Sequence, residues 1–82
     1  PPEPLNGPVG LTVDWYFPLT GKHKDGEWKT SKPDTDNLIK LLKDRMTHLK
    51  FWNDDAQVVI ERTSKSYSDT PGVLIGYYEI ID

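Results

Sequence analysis

A change of hydrophobic period between the first strand-like segment and the middle of the chain limits the fold more than any other feature. From Val9 to Phe17 the side chains alternate, with Leu11, Val13, Trp15 and Phe17 on one face and Thr12, Asp14 and Tyr16 on the other. That is the period of a half-buried strand. From Asp36 to Leu49 the apolar residues fall at Leu38, Leu41, Leu42 and Leu49, with Ile39 and Met46 beside them, a helical spacing. Asp36 suits the N-cap of that helix, and at about 100° per residue Asp36, Lys40, Lys43 and Thr47 line the side opposite the apolar stripe. Ala56 to Thr63 and Val73 to Ile81 read as two more strands, joined by a polar turn around Ser68 to Gly72. The order strand-helix-strand-strand predicts a small α+β fold, a mixed sheet with one main helix.

The 82 residues make one domain, residues 1–82, with a thin core that a partner subunit would help. Cysteine is absent, which excludes a disulfide scaffold, a zinc ribbon and a thiol nucleophile. It fits a reducing cytoplasm and leaves oxygen-ligand metal sites open. The longest apolar runs, such as Gly72 to Tyr78, fall far short of the ~20 residues a membrane span needs. The net charge of -3 argues against coating nucleic acid by bulk charge and leaves local basic patches possible.

Pro1 to Pro8, rich in proline, reads as an incoming linker, and a start at Pro1 without an initiator Met reads as a truncated or processed piece. Pro18 to Pro33 reads as an exposed hairpin or mobile loop with a basic excess. Its Lys22, Lys24, Lys29 and Lys32 form either a solvated surface or an arm that contacts phosphates. Trp28, in the same loop, is a better candidate for stacking on a base than Trp15 or Trp52, which read as core or interface. His23 and His48 lack the spacing of a local metal pair and read as solvent-facing.

Asp34 and Asp36 stand two apart at the mouth of the helix, a spacing that in an extended segment turns both carboxylates to one side. Two acids so placed can share a hard cation, and Mg²⁺ is usually held by one or two carboxylates plus water and substrate phosphate. Asp54 and Asp55 are the obvious suppliers of a further acid, with nothing in the pattern to choose between them. Lys40, one turn after Asp36, suits either an ion pair with that acid or a meeting with charge developing on a cleaved phosphate. Taken alone, Asp-x-Asp-Asn before a helix is more often a capping cluster and Asn53 to Asp55 more often a turn. No Gly-rich phosphate loop or nucleophile elbow occurs, which weakens nucleotide-binding and acyl-transfer readings.

Lys32-Pro33-Asp34-Thr35-Asp36-Asn37-Leu38 with Lys40, followed by Phe51-Trp52-Asn53-Asp54-Asp55-Ala56-Gln57-Val58-Val59, resembles the RusA family of Holliday junction resolvases. The likeness spans roughly Lys32 to Arg62, with a weaker fit in the last strand. It implies that Asp34, Asp36 and Asp55 bind Mg²⁺ and that Lys40 assists. It also implies hydrolysis of branched DNA by a homodimer whose two sites nick a four-way junction symmetrically, and further structure upstream of Pro1. A different class of function remains open: a non-catalytic nucleic-acid-binding or protein-interaction module, in which the acids are caps and turns.

Overall fold

A computed structural model of the chain describes residues 3–81. Strand β1, Val9–Pro18, leads through a long loop to helix α1, Thr35–His48. A single 3-10 turn at Asp55–Gln57 then precedes strands β2, Val58–Ser68, and β3, Gly72–Glu79. The three strands form one mixed sheet in the order β2-β1-β3, with β1 parallel to β2 and antiparallel to β3. This is the expected α+β arrangement. No helix of the described residues is long and apolar enough to cross a membrane.

The alternation in β1 fixes which face of the sheet is covered. Val9, Leu11 and Val13 are fully buried and join Ile39, Met46 and Trp52 in the core, with Trp15, Leu42 and Phe51 packed around it. Opposite Leu11 and Val13 lie Glu61 and Thr63 of β2, and Glu61 pairs with Lys43 of α1. On the other face Thr12 and Asp14 stand beside Arg62 and Ser64, and beside Gly76 and Leu74. That face is open: Leu74 is 62% and Tyr78 45% exposed.

Several details differ from the expectation. The cap of α1 is Asp34, not Asp36, because the Leu38 N–H already bonds the Asp34 carbonyl. The buried positions of α1 are Ile39 and Met46, whereas Leu41, placed in the apolar stripe, is 69% exposed. Lys43 and Thr47 do not belong to a solvated face with Asp36 and Lys40; Lys43 turns to Glu61 and Thr47 to Trp52 and Asp55. Ala56 does not open β2 but lies in the 3-10 turn, whose cap Asp54 accepts from the Ala56 N–H at 2.8 Å while the Gln57 Oε1 accepts from the Asp54 N–H at 2.9 Å. The strand itself runs past Thr63 to Ser68 because β1 pairs with it as far as Pro18, and the preceding loop also pairs with its outer edge, Gly26 N–H to Tyr67 O, Tyr67 N–H to Glu27 O and Lys29 N–H to Lys65 O.

Helix α1 ends in a left-handed residue that is not glycine. Lys50 has φ 67°, with its N–H on the Thr47 carbonyl and the Phe51 N–H on the Met46 carbonyl, the paired closure that glycine usually provides. A side chain in this conformation costs on the order of 1 kcal/mol. Lys50→Gly is therefore expected to raise unfolding stability by up to about 1 kcal/mol, read as a higher midpoint in urea with an unchanged slope. A lower midpoint would refute the strain argument.

Candidate active site

The first group of candidate residues sits at the start of α1. Asp34 has extended backbone and no side-chain capping bond, Asp36 lies in the first turn, and both are exposed. The partial positive charge of the helix start eases the repulsion between two neighbouring carboxylates. Lys40 is exposed and makes no ion pair among the described residues, so it is not spent on Asp36. The segment leading to Asp34 is held by Lys65 of β2, whose Nζ donates to the carbonyls of Ser31 and Pro33, both at 2.7 Å. The peptide bond between Lys32 and Pro33 is cis. Nothing in the sequence marks Lys65, since it stands 31 residues after Asp34 in a polar stretch and meets that segment because the loop before α1 runs along the outer edge of β2.

The second group sits at the other end of α1. The Thr47 hydroxyl donates to Asp55 Oδ1 and accepts from the indole N–H of the buried Trp52 at 2.7 Å. A core residue thus orients the acid through one hydroxyl. Asp55 Oδ2 accepts from no described residue. Asp54 is already engaged as the cap of the 3-10 turn, which distinguishes the two adjacent acids in a way their order in the sequence does not. A shallow cleft of about 300 Å³ is lined here by Asp44, Thr47, Asn53, Asp54 and Asp55.

The structure brings Asp34, Asp36 and Lys40 together but sets Asp55 apart from them. Asp36 and Thr47 are eleven residues apart on one helix, which at 1.5 Å per residue is about 17 Å. Among the described residues no three His, Cys, Asp or Glu side chains are grouped to hold a metal ion. The donors have the right chemistry for Mg²⁺, hard carboxylate oxygens open to solvent, but those of one copy do not converge on one ion.

The loop from Leu19 to Lys32 is tied to the edge of β2 rather than free. Trp28 pairs with Ser66, and the His23 ring stacks on Tyr67 with centroids 3.9 Å apart. His23 is exposed as expected and also bonds Glu27 at 2.5 Å; that hydrogen bond holds the Glu27 carboxyl below its usual range. Lys22, Lys24 and Lys32 are exposed as a phosphate-contacting arm requires. Lys29 differs: its ammonium bonds Ser31 at 2.8 Å and lies 5.1 Å from the Phe17 ring centroid, so it also anchors the loop.

Comparison with known proteins gives the same direction as the two motifs. The family model described as Endodeoxyribonuclease RusA matches residues 1–76. The chain is similar to the "Crossover junction endodeoxyribonuclease rusA" of Lactococcus phage r1t, 44% identical over 54 residues, 66% of this chain and 41% of that protein. It is also similar to the "Uncharacterized protein YqaN" of Bacillus subtilis (strain 168), 37% identical over 87 residues, 93% of this chain and 61% of that protein. The chain therefore spans between two fifths and about three fifths of the length of these relatives. With a family match that runs through the sheet and helix and includes both acidic motifs, the chain belongs to the RusA endodeoxyribonuclease family.

Proposed function

We propose that this chain supplies the acids of a Mg²⁺-dependent endonuclease that acts as a homodimer on four-way DNA junctions and cuts them by paired symmetric nicks. The observation that carries the reading is the state of Asp34: it occupies the cap position of α1 yet its carboxylate makes no capping bond. A structural cap would use that side chain. Left exposed beside Asp36, it is available to a cation. The junction as substrate rests on the name of the phage relative, and a DNA substrate agrees with the cytoplasmic location expected from the sequence.

Asp34, Asp36 and Asp55 would hold the ion. When bound, it supplies a Lewis acid for the phosphate and lowers the pKa of a coordinated water. Lys40, without an ion pair among the described residues and one turn from Asp36, stabilises negative charge as it builds on the cleaved phosphodiester. Lys22, Lys24 and Lys32 add non-specific attraction for the DNA backbone, so junction binding should fall steeply with salt. Because Asp55 stands at the far end of α1, a single copy leaves the acids divided. A two-fold axis perpendicular to α1 sets the start of one helix beside the end of the other, at both ends at once. On this reading each site takes Asp34, Asp36 and Lys40 from one copy and Asp55 from its partner.

Asp34→Asn tests the assignment against a non-catalytic binding module. Mg²⁺-dependent nicking of a synthetic four-way junction is expected to fall on the order of 10²- to 10³-fold. The melting temperature should stay within about 3 °C, the range of a surface substitution in a domain this size. Unchanged nicking, or a large drop in melting temperature, would return Asp34 to a structural role.

A further inference from the structure

A cleft of about 580 Å³ opens along β2 between the sheet and the loop that carries Trp28, within the size range of small-ligand sites. Trp28, Lys29, Thr35, Arg62, Thr63 and Lys65 are among the residues that line it. Trp28 is 69% exposed, although its backbone is fixed by the pairing of the loop with β2 on both sides of it. Folding gives no reason to hold so large an aromatic surface in water on a rigid support, whereas stacking on a base does. Three cations face the cleft against one carboxylate, Asp14, and that carboxylate already accepts from the Ser64 hydroxyl at 2.6 Å. The ammonium groups of Lys29 and Lys65 are bonded to Ser31 and Pro33. Arg62 is exposed and has no hydrogen-bond or ion-pair partner among the described residues, which leaves its guanidinium free to grip a phosphate from two sides. The wall also contains the buried Thr63 Oγ1, which has no hydrogen-bond partner among the described residues.

We propose that this cleft is a subsite for an unpaired nucleotide, with the base stacked on Trp28 and the phosphate held by Arg62. Thr35, on the rim, lies between Asp34 and Asp36, so a strand seated in the cleft leaves it at those acids. In that position the subsite rests on the nuclease reading: it holds single-stranded DNA beside the bond to be cut, as at the open centre of a junction. The stacking and the phosphate grip do not themselves require a metal.

The test separates the two. The chain is titrated with a short oligothymidylate in EDTA, following tryptophan emission, and junction cleavage is measured separately in Mg²⁺. Binding is expected to quench the exposed indole. Trp28→Ala should abolish the quench and weaken binding roughly 10- to 100-fold. Trp28→Phe should retain most of the affinity, because it keeps an aromatic face. Arg62→Ala should weaken binding and lower the slope of log affinity against log salt by about 0.7. Circular dichroism of each variant confirms that it is folded. Absence of oligothymidylate binding by the unaltered chain, or equal binding by Trp28→Ala, would overturn the subsite. Trp28-dependent binding by a chain that never cuts a junction would sink the nuclease reading and keep the subsite; cleavage that ignores Trp28→Ala, with no such binding, would do the reverse.

Discussion

Mixing Asp34→Asn chains with Asp55→Asn chains, each inactive by itself, is expected to restore nicking of a four-way junction. On the proposed reading, each site of the dimer combines the start of one α1 with Asp55 of the other copy. In a mixed pair one site then carries both substitutions and is dead, while the other carries neither and is intact. Nicks should return, but singly, without the paired cuts that the unaltered dimer makes. The physical basis is the separation within one copy: Asp55 is bonded to Thr47 in the last turn of α1, and Asp34 stands at the start of its first. About 17 Å of helix between Asp36 and Thr47 is far beyond the 2.0–2.1 Å reach of carboxylate oxygens on one Mg²⁺. The measurement is a denaturing gel of end-labelled junction strands after the two variants have been unfolded together and refolded. Mixtures as inactive as the separate variants would mean that each site is built within one copy, and the divided arrangement would have to be abandoned.

Trp52→Ala is expected to cost about 3–5 kcal/mol of stability, the range for removing a fully buried large aromatic. Trp52 has no exposed surface, packs in the core with Leu11 and Met46, and stacks edge-on to Tyr77 at 6.4 Å between centroids. At 0.05–0.15 kcal/mol per residue a domain of this length holds roughly 4–12 kcal/mol in total, so the loss removes a large share of it. Urea unfolding followed by circular dichroism should show the midpoint collapse toward zero denaturant. Trp52→Phe retains most of the ring volume but not the N–H that Thr47 accepts, and should cost nearer 1–2 kcal/mol. A loss below about 1 kcal/mol for the alanine variant would contradict the burial of this ring. The same substitution bears on the site, because the indole fixes the hydroxyl that orients Asp55.

Sequence alone determined the elements whose signal is local. The alternation of Leu11, Val13 and Trp15 and the helical recurrence of Leu38, Leu41, Leu42 and Leu49, with Ile39 and Met46 beside them, mark two elements that stand where their periods place them, although it is Ile39 and Met46 that α1 buries. The two acidic motifs were legible as well, since a short run of residue types is all that identifies them. Tertiary structure decided the rest. The last residues of β2 are polar, Ser64, Lys65 and Ser66, and carry no period; they form strand because Asp14, Trp15 and Tyr16 of β1 pair with them on one edge and the Trp28 loop on the other. Asp54 and Asp55 are equivalent as neighbours in a sequence and differ only once a 3-10 turn takes one as its cap and Thr47 turns to the other. The separation of Asp36 from Asp55 is likewise absent from their spacing, because residue number counts bonds along the chain whereas a straight helix between two acids holds them apart in space.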